Sequence, residues 1–508
     1  MNRTFARVLS VSLCLAIAPA APAEKRKRID FANPPAGVFM DEWYAVLLDK
    51  AQCGSMHATT RRDGDTIESR ADIVFNLTRD RAKVSIKVEQ AYRESLGGQP
   101  LGFESTMRMG DAPVVQQGTV RNGKITLVTK QFGAEQRAEH DFDPEVRFAW
   151  GQFLEQQRRG LKPGTRFTLK TYEPTLAADH ALVAEFAVRG WETIDLLGRQ
   201  TKALRVTTTM KLDQPIESEA WVDADGTPLV NEVNLGAFHI RMVRCDEKTA
   251  RKLDRAPEMF NNTFITATGR VRRDAPRLTL RLSTADGARL PDLPNTEMQT
   301  FRRDGESTGT LEVARLDWAA LRAGESVPKA PPRRIRREFL RASAYCDIND
   351  AQIQKLSRKA VGDAALPAAK ADRLRKFVTG YITNKGLDVA MATATEVARR
   401  RQGDCTEHGV LLAALARAAG LPARCVAGLV MAPDSAPDRP LFGYHMWTQV
   451  WIDGRWIDID AAMRQTDCDP THVALAIMSM NDESLMSGAM NIVALIGRLK
   501  IEVVSADR

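Results

Sequence analysis

Hydrophobic and polar residues alternate over much of the first half of the chain, between residues 43 and 244. The run Val84–Val88 alternates in this way, and Asn122-Gly123 separates two further alternating runs. A period of two is typical of strands with one buried face, and Asn-Gly is a favoured hairpin turn. The pattern predicts an antiparallel β domain of many strands at residues 24–250, shaped as a curved sheet or half-barrel. Such sheets bind lipid or peptide in some proteins and are scaffolds in others, and the sequence leaves this open.

Three more alternating runs lie between Phe264 and Trp318, namely FITATGRV, PRLTLRLS and TGTLEVARL. They predict a smaller β domain at residues 255–325. The segment SVPKAPPRRIRR follows, and its prolines and arginines favour an extended linker at residues 326–337.

Beyond the linker the hydrophobic period lengthens to that of a helix. Leu374, Phe377, Val378 and Tyr381 recur at three- and four-residue spacing, which predicts an amphipathic helix. The last run, RLKIEVV, alternates again and predicts a late strand in the sheet of this domain. The pattern predicts an α+β domain at residues 338–508.

The helix that begins near Cys405 carries candidate chemistry. Its apolar residues recur at three- and four-residue spacing, at positions 411, 412, 415, 416 and 419, which predicts a helix with one buried stripe. Gly420 and Pro422 end this helix. Asp404 can act as N-cap, with Glu407 three residues later as in a capping box. Cys405 is then in the first turn, where free backbone N–H groups and the helix dipole favour a thiolate. This position suits a nucleophile.

A nucleophilic thiol requires a base, and the base requires an orienting partner. Residues alternate on both sides of Asp453-Gly454, which predicts a β-hairpin. His445 lies near the start of the first strand and Asp460 at the end of the second. Because antiparallel pairing brings these strand ends together, we expect Asp460 to reach the His445 imidazole. Together with Cys405, the two residues fit the roles of nucleophile, base and orienting group.

The blocks GDCTEH, LARAAGLPAR and HMWTQVWIDGRWIDID occur in this order. Together they resemble the core of the transglutaminase-like family, whose fold is related to that of papain-type cysteine proteases. The resemblance covers roughly the last third of the chain, from about Glu338. It implies that Cys405 is the nucleophile, His445 the general base and acid, and Asp460 the residue that orients the histidine. The sequence itself gives no support for a cofactor or a metal, and none is expected.

Two positions depart from the commonest family pattern. Gln449 stands where many members carry Glu, and Ala461-Ala462 follow the aspartate where many carry Pro-Thr or Ala-Thr. Neither position is part of the predicted triad, so the departures concern substrate preference rather than the reaction.

Other residues near the predicted site have a structural interpretation. His408 lies one helical turn after Cys405, but Cys-x-x-His alone lacks the other two ligands of a zinc site. We therefore expect His408 and Glu407 to stabilise the start of the helix. Three of the eight tryptophans lie in the hairpin, and the sequence does not decide which of them pack in the core and which line a substrate groove; they are Trp447, Trp451 and Trp456.

The N-terminus has the features of a signal peptide at residues 1–23. Arg3 and Arg7 precede a short apolar stretch, and Ala21-Pro22-Ala23 matches an A-x-A cleavage site. The apolar stretch is too short for a permanent anchor, and no other segment approaches about 18 consecutive apolar residues. The sequence predicts an exported protein, periplasmic or secreted, without an integral membrane segment after processing.

The charge pattern of the chain bears on which partners it binds. The net charge of +8 is small for 508 residues, and the basic clusters at 25–28, 333–337 and 399–401 lack interleaved aromatic residues. Solvated surface is the favoured interpretation, and no nucleic acid partner is expected. No EF-hand loop or acidic cluster indicates a calcium site.

Seven cysteines are few for a chain of this length, and one of them lies in the predicted leader. The fold must then depend on hydrophobic burial rather than on disulfides. Cys53 and Cys245 lie on the first and last strands predicted for the N-terminal sheet, and a disulfide between them is a hypothesis for closing that sheet.

The sequence favours an exported cysteine enzyme that attacks an amide of a peptide or protein substrate and forms a thioester. Water then releases an acid, or an amine accepts the acyl group. The triad does not distinguish these outcomes, and hydrolysis is expected only from the resemblance to exported bacterial proteins. A cross-linking transglutaminase is one alternative. A non-catalytic binding or scaffold protein that uses the β domain is another, against which the intact triad argues.

Overall fold

The structure is a computed structural model. It describes residues 29–79, 82–108, 113–131, 134–173, 180–212, 215–235, 238–253, 256–257, 263–323, 330–343, 345–386, 392–480, 488, 491–492 and 494–506. The predicted signal peptide at 1–23 lies outside the described residues. The chain divides near residue 258 into two compact units. Within the described residues, no helix has both the length and the apolar character needed to cross a membrane.

The N-terminal unit is built on one sheet of fourteen strands. Its strands are β1 Gly37–Leu48, β2 Ala51–Asp63, β3 Thr66–Arg79, β4 Ala82–Ser95, β5 Pro100–Arg108, β6 Val114–Arg121, β7 Lys124–Gln131, β8 Ala134–Asp141, β9 Arg166–Thr171, β10 Leu182–Leu196, β11 Arg199–Lys211, β12 Ile216–Val222, β13 Pro228–Leu235 and β14 Phe238–Cys245. Among the described residues of this unit, the helices are α1 Ala149–Arg159 and α2 Glu247–Ala250.

Consecutive strands pair with each other in two series that meet at the centre of this sheet. The order runs from β8 to β1 and then from β14 back to β9, because β1 pairs antiparallel with β14. The alternating residues of Val84–Val88 place Val84, Ile86 and Val88 in the core. The predicted large antiparallel β domain is therefore confirmed.

Helix α1 packs against this sheet and takes its N-terminal cap from a distant strand. The Glu94 carboxylate of β4 accepts hydrogen bonds from the backbone N–H groups of Trp150 and Gly151, at 2.7 and 2.9 Å. Trp150 and Phe153 then pack in a cluster with Met40. The carboxylate satisfies N–H groups that the first turn of a helix leaves without a partner.

The hypothesis of a disulfide between Cys53 and Cys245 is wrong, since both cysteines are free. Cys53 lies on β2 and Cys245 on β14, and β1 runs between these strands. Two strand spacings separate the cysteines by about 9.5 Å or more, beyond the Cα–Cα distance of about 7 Å that a disulfide tolerates. The first and last strands of the domain are joined by backbone hydrogen bonds instead, with Trp43 opposite Cys245.

In its described residues, the C-terminal unit combines two sheets with six named helices. Its strands are β15 Ile265–Thr266, β16 Arg277–Thr284, β17 Gln299–Arg303, β18 Thr308–Ala314, β19 Ala423–Met431, β20 Leu441–Ile452, β21 Arg455–Ile459, β22 Val473–Met478 and β23 Leu499–Ala506. The helices are α3 Trp318–Ala323, α4 Arg333–Phe339, α5 Ala351–Val361, α6 Pro367–Tyr381, α7 Ala394–Arg400 and α8 Cys405–Ala418.

Contrary to the sequence prediction, the late strand β23 does not join the sheet beside α8 in the α+β domain but pairs elsewhere. It pairs with β16 in a sheet of order β17-β18-β16-β23, with Leu282 opposite Ile501. The segment predicted as a separate β domain at 255–325 therefore shares a sheet with the end of the chain and lies in the same compact unit. Alternation identifies a half-buried strand but carries no information about its partner.

The segment predicted as an extended linker, 326–337, ends in a helix. Helix α4 begins directly after Pro332, which is the N-cap residue. Proline is tolerated at the start of a helix, where its missing N–H loses no hydrogen bond. At the other end of α4 the buried ring of Phe339 packs edge-on against Trp456, with 4.9 Å between ring centroids.

Helix α8 is the centre of the predicted α+β domain, which is confirmed. The sheet β15-β20-β19-β22, with β21 paired to β20, covers one side of α8, and helices α5, α6 and α7 cover the other. Residues from Val410 to Ala416 are fully buried for this reason. A helix that is apolar on all sides is stable only when other elements cover all of its sides. The packing of the sheet and the three helices around α8 therefore also fixes the position of its first turn.

Candidate active site

Cys405 is the first residue of α8, and a capping box defines its position. Asp404 is the N-cap: its side chain accepts a hydrogen bond from the Thr406 N–H at 2.8 Å. The Glu407 carboxylate accepts from the Asp404 N–H at 3.0 Å. At Gly403 a Cβ atom would lie 2.2 Å from that of Glu407, so only glycine fits beside the cap. The Cys405 residue remains partly exposed, as a nucleophile requires.

The hairpin predicted around Asp453-Gly454 brings His445 and Asp460 together. Both turn residues have positive φ, 48° and 86°, as a two-residue hairpin of this type needs. Strand β21 pairs with β20 up to Thr448 opposite Ile459, and Asp460 follows directly. Its Oδ2 atom lies 2.6 Å from His445 Nε2.

The electrostatics of this pair favour its charged form. The side chain of His445 is 8% exposed and that of Asp460 is 1% exposed. Burial alone would lower the pKa of His445, but the Asp460 charge and the contacts with Cys405 outweigh burial and raise it to about 10. The two imidazoles near Asp460 hold the pKa of its carboxyl well below its usual range in spite of burial. Since Nε2 of His445 faces Asp460, Nδ1 is the nitrogen available to Cys405.

His408 and Glu407 occupy the structural positions expected for them. The buried His408 ring bonds through Nδ1 to the Asp404 backbone carbonyl at 2.6 Å. Burial lowers the pKa of His408, so its imidazole is neutral at pH 7. Glu407 is also buried and accepts a second hydrogen bond from the Ala392 N–H at 2.9 Å. Both side chains hold the start of α8.

His472 is a residue of the site that the sequence analysis missed. It lies just before β22 and is fully buried, with Nε2 3.2 Å from Asp460 Oδ2. Its Nδ1 atom lies 3.1 Å from the backbone oxygen of Asp469. The sequence signal that points to His472 is the rarity of histidine, since the chain contains only seven.

His445, Asp460 and His472 are also the group of potential metal ligands found in the described part of the chain, with ligating atoms within 4.8 Å of one another. The distances between these three side chains are those of hydrogen bonds. Both imidazoles lie within hydrogen-bonding distance of the same carboxylate oxygen, so the three side chains form the chain His445–Asp460–His472.

The hairpin tryptophans pack mainly in the core. Trp447 is buried on β20 with its ring beside those of His445 and His472, and its Nε1 donates to Asp458 Oδ1 at 2.6 Å. Trp456 is buried beneath the Arg424 guanidinium, which lies 4.0 Å from the ring centroid. Gln449 is buried as well and accepts a hydrogen bond from Arg424 Nε at 2.8 Å, so the glutamine acts in packing behind the site.

Residues 354–461 match the model of the transglutaminase-like superfamily, and this segment contains Cys405, His445 and Asp460. The chain thus carries a transglutaminase-like domain. A search of the curated proteins gives no match.

Several solved structures are similar to parts of the chain. A candidate cysteine protease from Cytophaga hutchinsonii is 17% identical over 47% of this chain and 87% of that chain, with a TM-score of 0.30. A β-barrel-like protein of a domain of unknown function from Brucella abortus is 13% identical over 41% of this chain and 95% of its own, with a TM-score of 0.33. A candidate protease from Parabacteroides distasonis is 10% identical over 69% of this chain and 64% of its own, with a TM-score of 0.19.

Proposed function

We propose that the transglutaminase-like domain of this protein catalyses cysteine-dependent acyl transfer at amide bonds of peptides or proteins, with water as the acyl acceptor. The observation that supports this proposal is the placement of a partly exposed thiol, Cys405, in the first turn of α8 beside the hydrogen-bonded pair of His445 and Asp460. A thiol, an imidazole and a carboxylate in this order are the components of nucleophilic acyl transfer.

The proposed reaction has two steps. The Cys405 thiolate attacks the amide carbonyl, and as the C–N bond breaks the His445 imidazolium gives its proton to the leaving amine. The product of this step is a thioester on Cys405. The neutral His445 then takes a proton from water, the resulting hydroxide attacks the thioester, and the acid leaves as the thiolate re-forms. Asp460 holds the imidazole in the required orientation in both steps.

Two features of the first turn of α8 suit the charge that develops. The backbone N–H groups at a helix N-terminus stabilise an anion. The Asp404 side chain engages the Thr406 N–H and not that of Cys405. We infer that the Cys405 N–H is directed to the oxyanion of the tetrahedral intermediate.

Alkylation of the purified protein with iodoacetamide at several pH values tests the nucleophile without a known substrate. We expect Cys405 to react well below about pH 8.5, the region in which an ordinary thiol ionises, because it lies at a helix N-terminus beside His445. Cys425 and Cys468 are buried and serve as internal controls in the same mass-spectrometric analysis. Equal labelling of Cys405 and these two thiols, or Cys405 found in a disulfide, would refute the assignment.

A peptide library with and without an added primary amine tests the acceptor. Hydrolysis predicts acid products in both conditions. Amide products that dominate when the amine is added would replace the hydrolytic proposal by a transamidase, and no product with any peptide from a protein that has a reactive Cys405 would favour the non-catalytic alternative.

We also propose that the protein is exported, on the basis of the leader-like sequence at residues 1–23. N-terminal sequencing of the protein from the extracytoplasmic fraction is expected to begin at Glu24. Full-length protein retained in the cytoplasm would contradict this.

A further inference from the structure

The hydrogen-bond partners of His472 require protons on both of its ring nitrogens. Nε2 faces the Asp460 carboxylate at 3.2 Å, and Nδ1 faces the Asp469 backbone carbonyl at 3.1 Å. Neither oxygen can donate a hydrogen bond when Asp460 is ionised, so each contact is a hydrogen bond only if the ring nitrogen carries a proton. A neutral imidazole has one such proton. The geometry therefore describes an imidazolium.

The surroundings of His472 supply compensating negative charge. The Asp469 carboxylate lies 3.6 Å from Nδ1 and is itself paired with Arg273 at 2.9 Å. Burial by itself lowers the pKa of His472, but the contacts with Cys468, Asp460 and Asp469 outweigh it and raise the pKa well above its usual value. The titratable and charged groups around the ring are Asp460, Asp469, Cys468, Asp458, His445 and, through Asp469, Arg273.

We propose that His472 is a positioning residue of the active site, a buried imidazolium that holds Asp460 ionised and fixes its carboxylate toward His445. The inference rests on the proposed function, since it requires His445 and Asp460 to act with Cys405. His472 has no exposed surface and does not touch substrate. Its effect passes through the Oδ2 atom that the two imidazoles share.

The shared oxygen defines what His472 contributes. Asp460 Oδ1 accepts a hydrogen bond from the Met463 N–H at 2.9 Å, which fixes one oxygen from the backbone. Oδ2 is bonded to His445 and to His472, so the second imidazole fixes the other oxygen. Its positive charge also lies close to His445, with 6.3 Å between ring centroids. A buried positive charge at this distance opposes a second positive charge on His445, and it favours a thiolate on Cys405, which contacts His445.

The variant His472→Gln separates charge from shape, because its side-chain N–H can still donate to Asp460 while the charge is lost. We expect the pH midpoint of Cys405 alkylation to rise by on the order of one pH unit. The matched control is His408→Gln. His408 is another buried histidine bonded through Nδ1 to a backbone carbonyl, but its ring is neutral. Its replacement should leave the midpoint unchanged.

A His472→Gln protein that folds and keeps the wild-type midpoint would overturn the proposal. If wild-type Cys405 reacts no faster than the buried cysteines, the proposed function fails instead, so the two failures are distinguishable. A second measurement covers a variant that does not fold. This measurement uses the His445→Gln protein with ¹⁵N in its histidine rings. At about pH 8.5 its nitrogen NMR spectrum should show one histidine that is protonated on both ring nitrogens. A spectrum in which all histidine rings are neutral would also overturn the proposal.

Discussion

At the residue scale, Asp460 is the residue through which the two histidines of the candidate site are connected by hydrogen bonds. Its carboxylate receives hydrogen bonds from His445, from His472 and from the Met463 N–H, and its side chain is 1% exposed. A buried carboxylate with three donors stays ionised and cannot rotate freely. The orientation of His445 is therefore set by a group that substrate does not reach.

Substitutions of Cys405, His445 and Asp460 should differ in their effects on turnover according to the role of each residue. Cys405→Ala should abolish turnover, because no other nucleophile among the residues that the structure describes is placed to form the acyl-enzyme, and His445→Ala should lose nearly as much since the thiol lacks its base. Asp460→Asn should keep the fold but lower kcat by roughly 10²- to 10⁴-fold with little change in KM, because the amide favours the wrong tautomer. Steady-state kinetics on one amide substrate measure all three.

His408→Gln is the control for this series and should retain activity with some loss of stability. A well-folded but inactive His408→Gln protein beside an active His445→Ala protein would show that the base has been assigned to the wrong histidine.

The raised pKa of His445 predicts how its pairing affects stability. Its folded pKa of about 10 lies above the unfolded value of about 6.5. The stabilisation from protonated His445 is therefore fully present below about pH 6.5 and is lost as pH rises through about 10. Asp460 has a lowered pKa, so its contribution is present above its unfolded value of about 3.9 and is lost as pH falls.

Urea denaturation of wild type and Asp460→Asn from about pH 3 to 11 tests this dependence. We expect the difference in free energy of unfolding to be largest near pH 5 to 7 and to shrink toward both ends. Asp453→Asn, in the turn of the same hairpin, should show a small difference with no such profile. A difference for Asp460→Asn that does not vary with pH would contradict the charged pair.

At the element scale, the start of α8 depends on the Asp404 cap. Asp404→Ala removes the acceptor for the Thr406 N–H, which should cost about 1 kcal/mol of stability and slow the alkylation of Cys405. Asp404→Asn is the matched variant, because asparagine caps equally well and removes the charge that disfavours the buried Glu407 carboxylate. Thermal unfolding measures the stability of both variants, and labelling measures the rate of Cys405 alkylation. If Asp404→Ala and Asp404→Asn lose equal stability, the loss of the cap is not the cause.

The sequence predicts those parts of the site that local patterns encode. The capping box at Asp404, the Asp453-Gly454 turn and the register from His445 to Asp460 each depend on residues close in sequence, which spacing and turn chemistry can specify. The position of His472 depends on how β22 pairs with β19 and on the loop that contains Asp469, and no periodicity specifies either. The prolines and arginines before Phe339 predict an extended segment, but proline is also compatible with the start of a helix, and the structure has a helix directly after Pro332.

At the scale of the whole molecule, the ends of the C-terminal unit are joined in one sheet. Leu280 and Leu282 of β16 are buried opposite Val503 and Ile501 of β23. Deletion of residues 499–508 should expose these leucines and leave β16 without one of its partners, so the transglutaminase-like domain should lose solubility or cooperative unfolding. Deletion of 507–508 alone, which leaves β23 intact, is the control. Calorimetry of both truncated proteins tests the prediction, and full stability without β23 would refute it.

The pairing of β1 with β14 has a consequence for the order of folding. Within each half of the large sheet, neighbouring strands are also neighbours in sequence, so each half can form by successive local hairpins as the chain is synthesised. The seam between the halves joins Trp43 to Cys245, segments roughly two hundred residues apart. Contacts of such high sequence separation form slowly because a long loop must close first. Until the ribosome has released the last of these strands, β1 presents an unpaired edge, and the nascent domain is open to association with other chains at that edge.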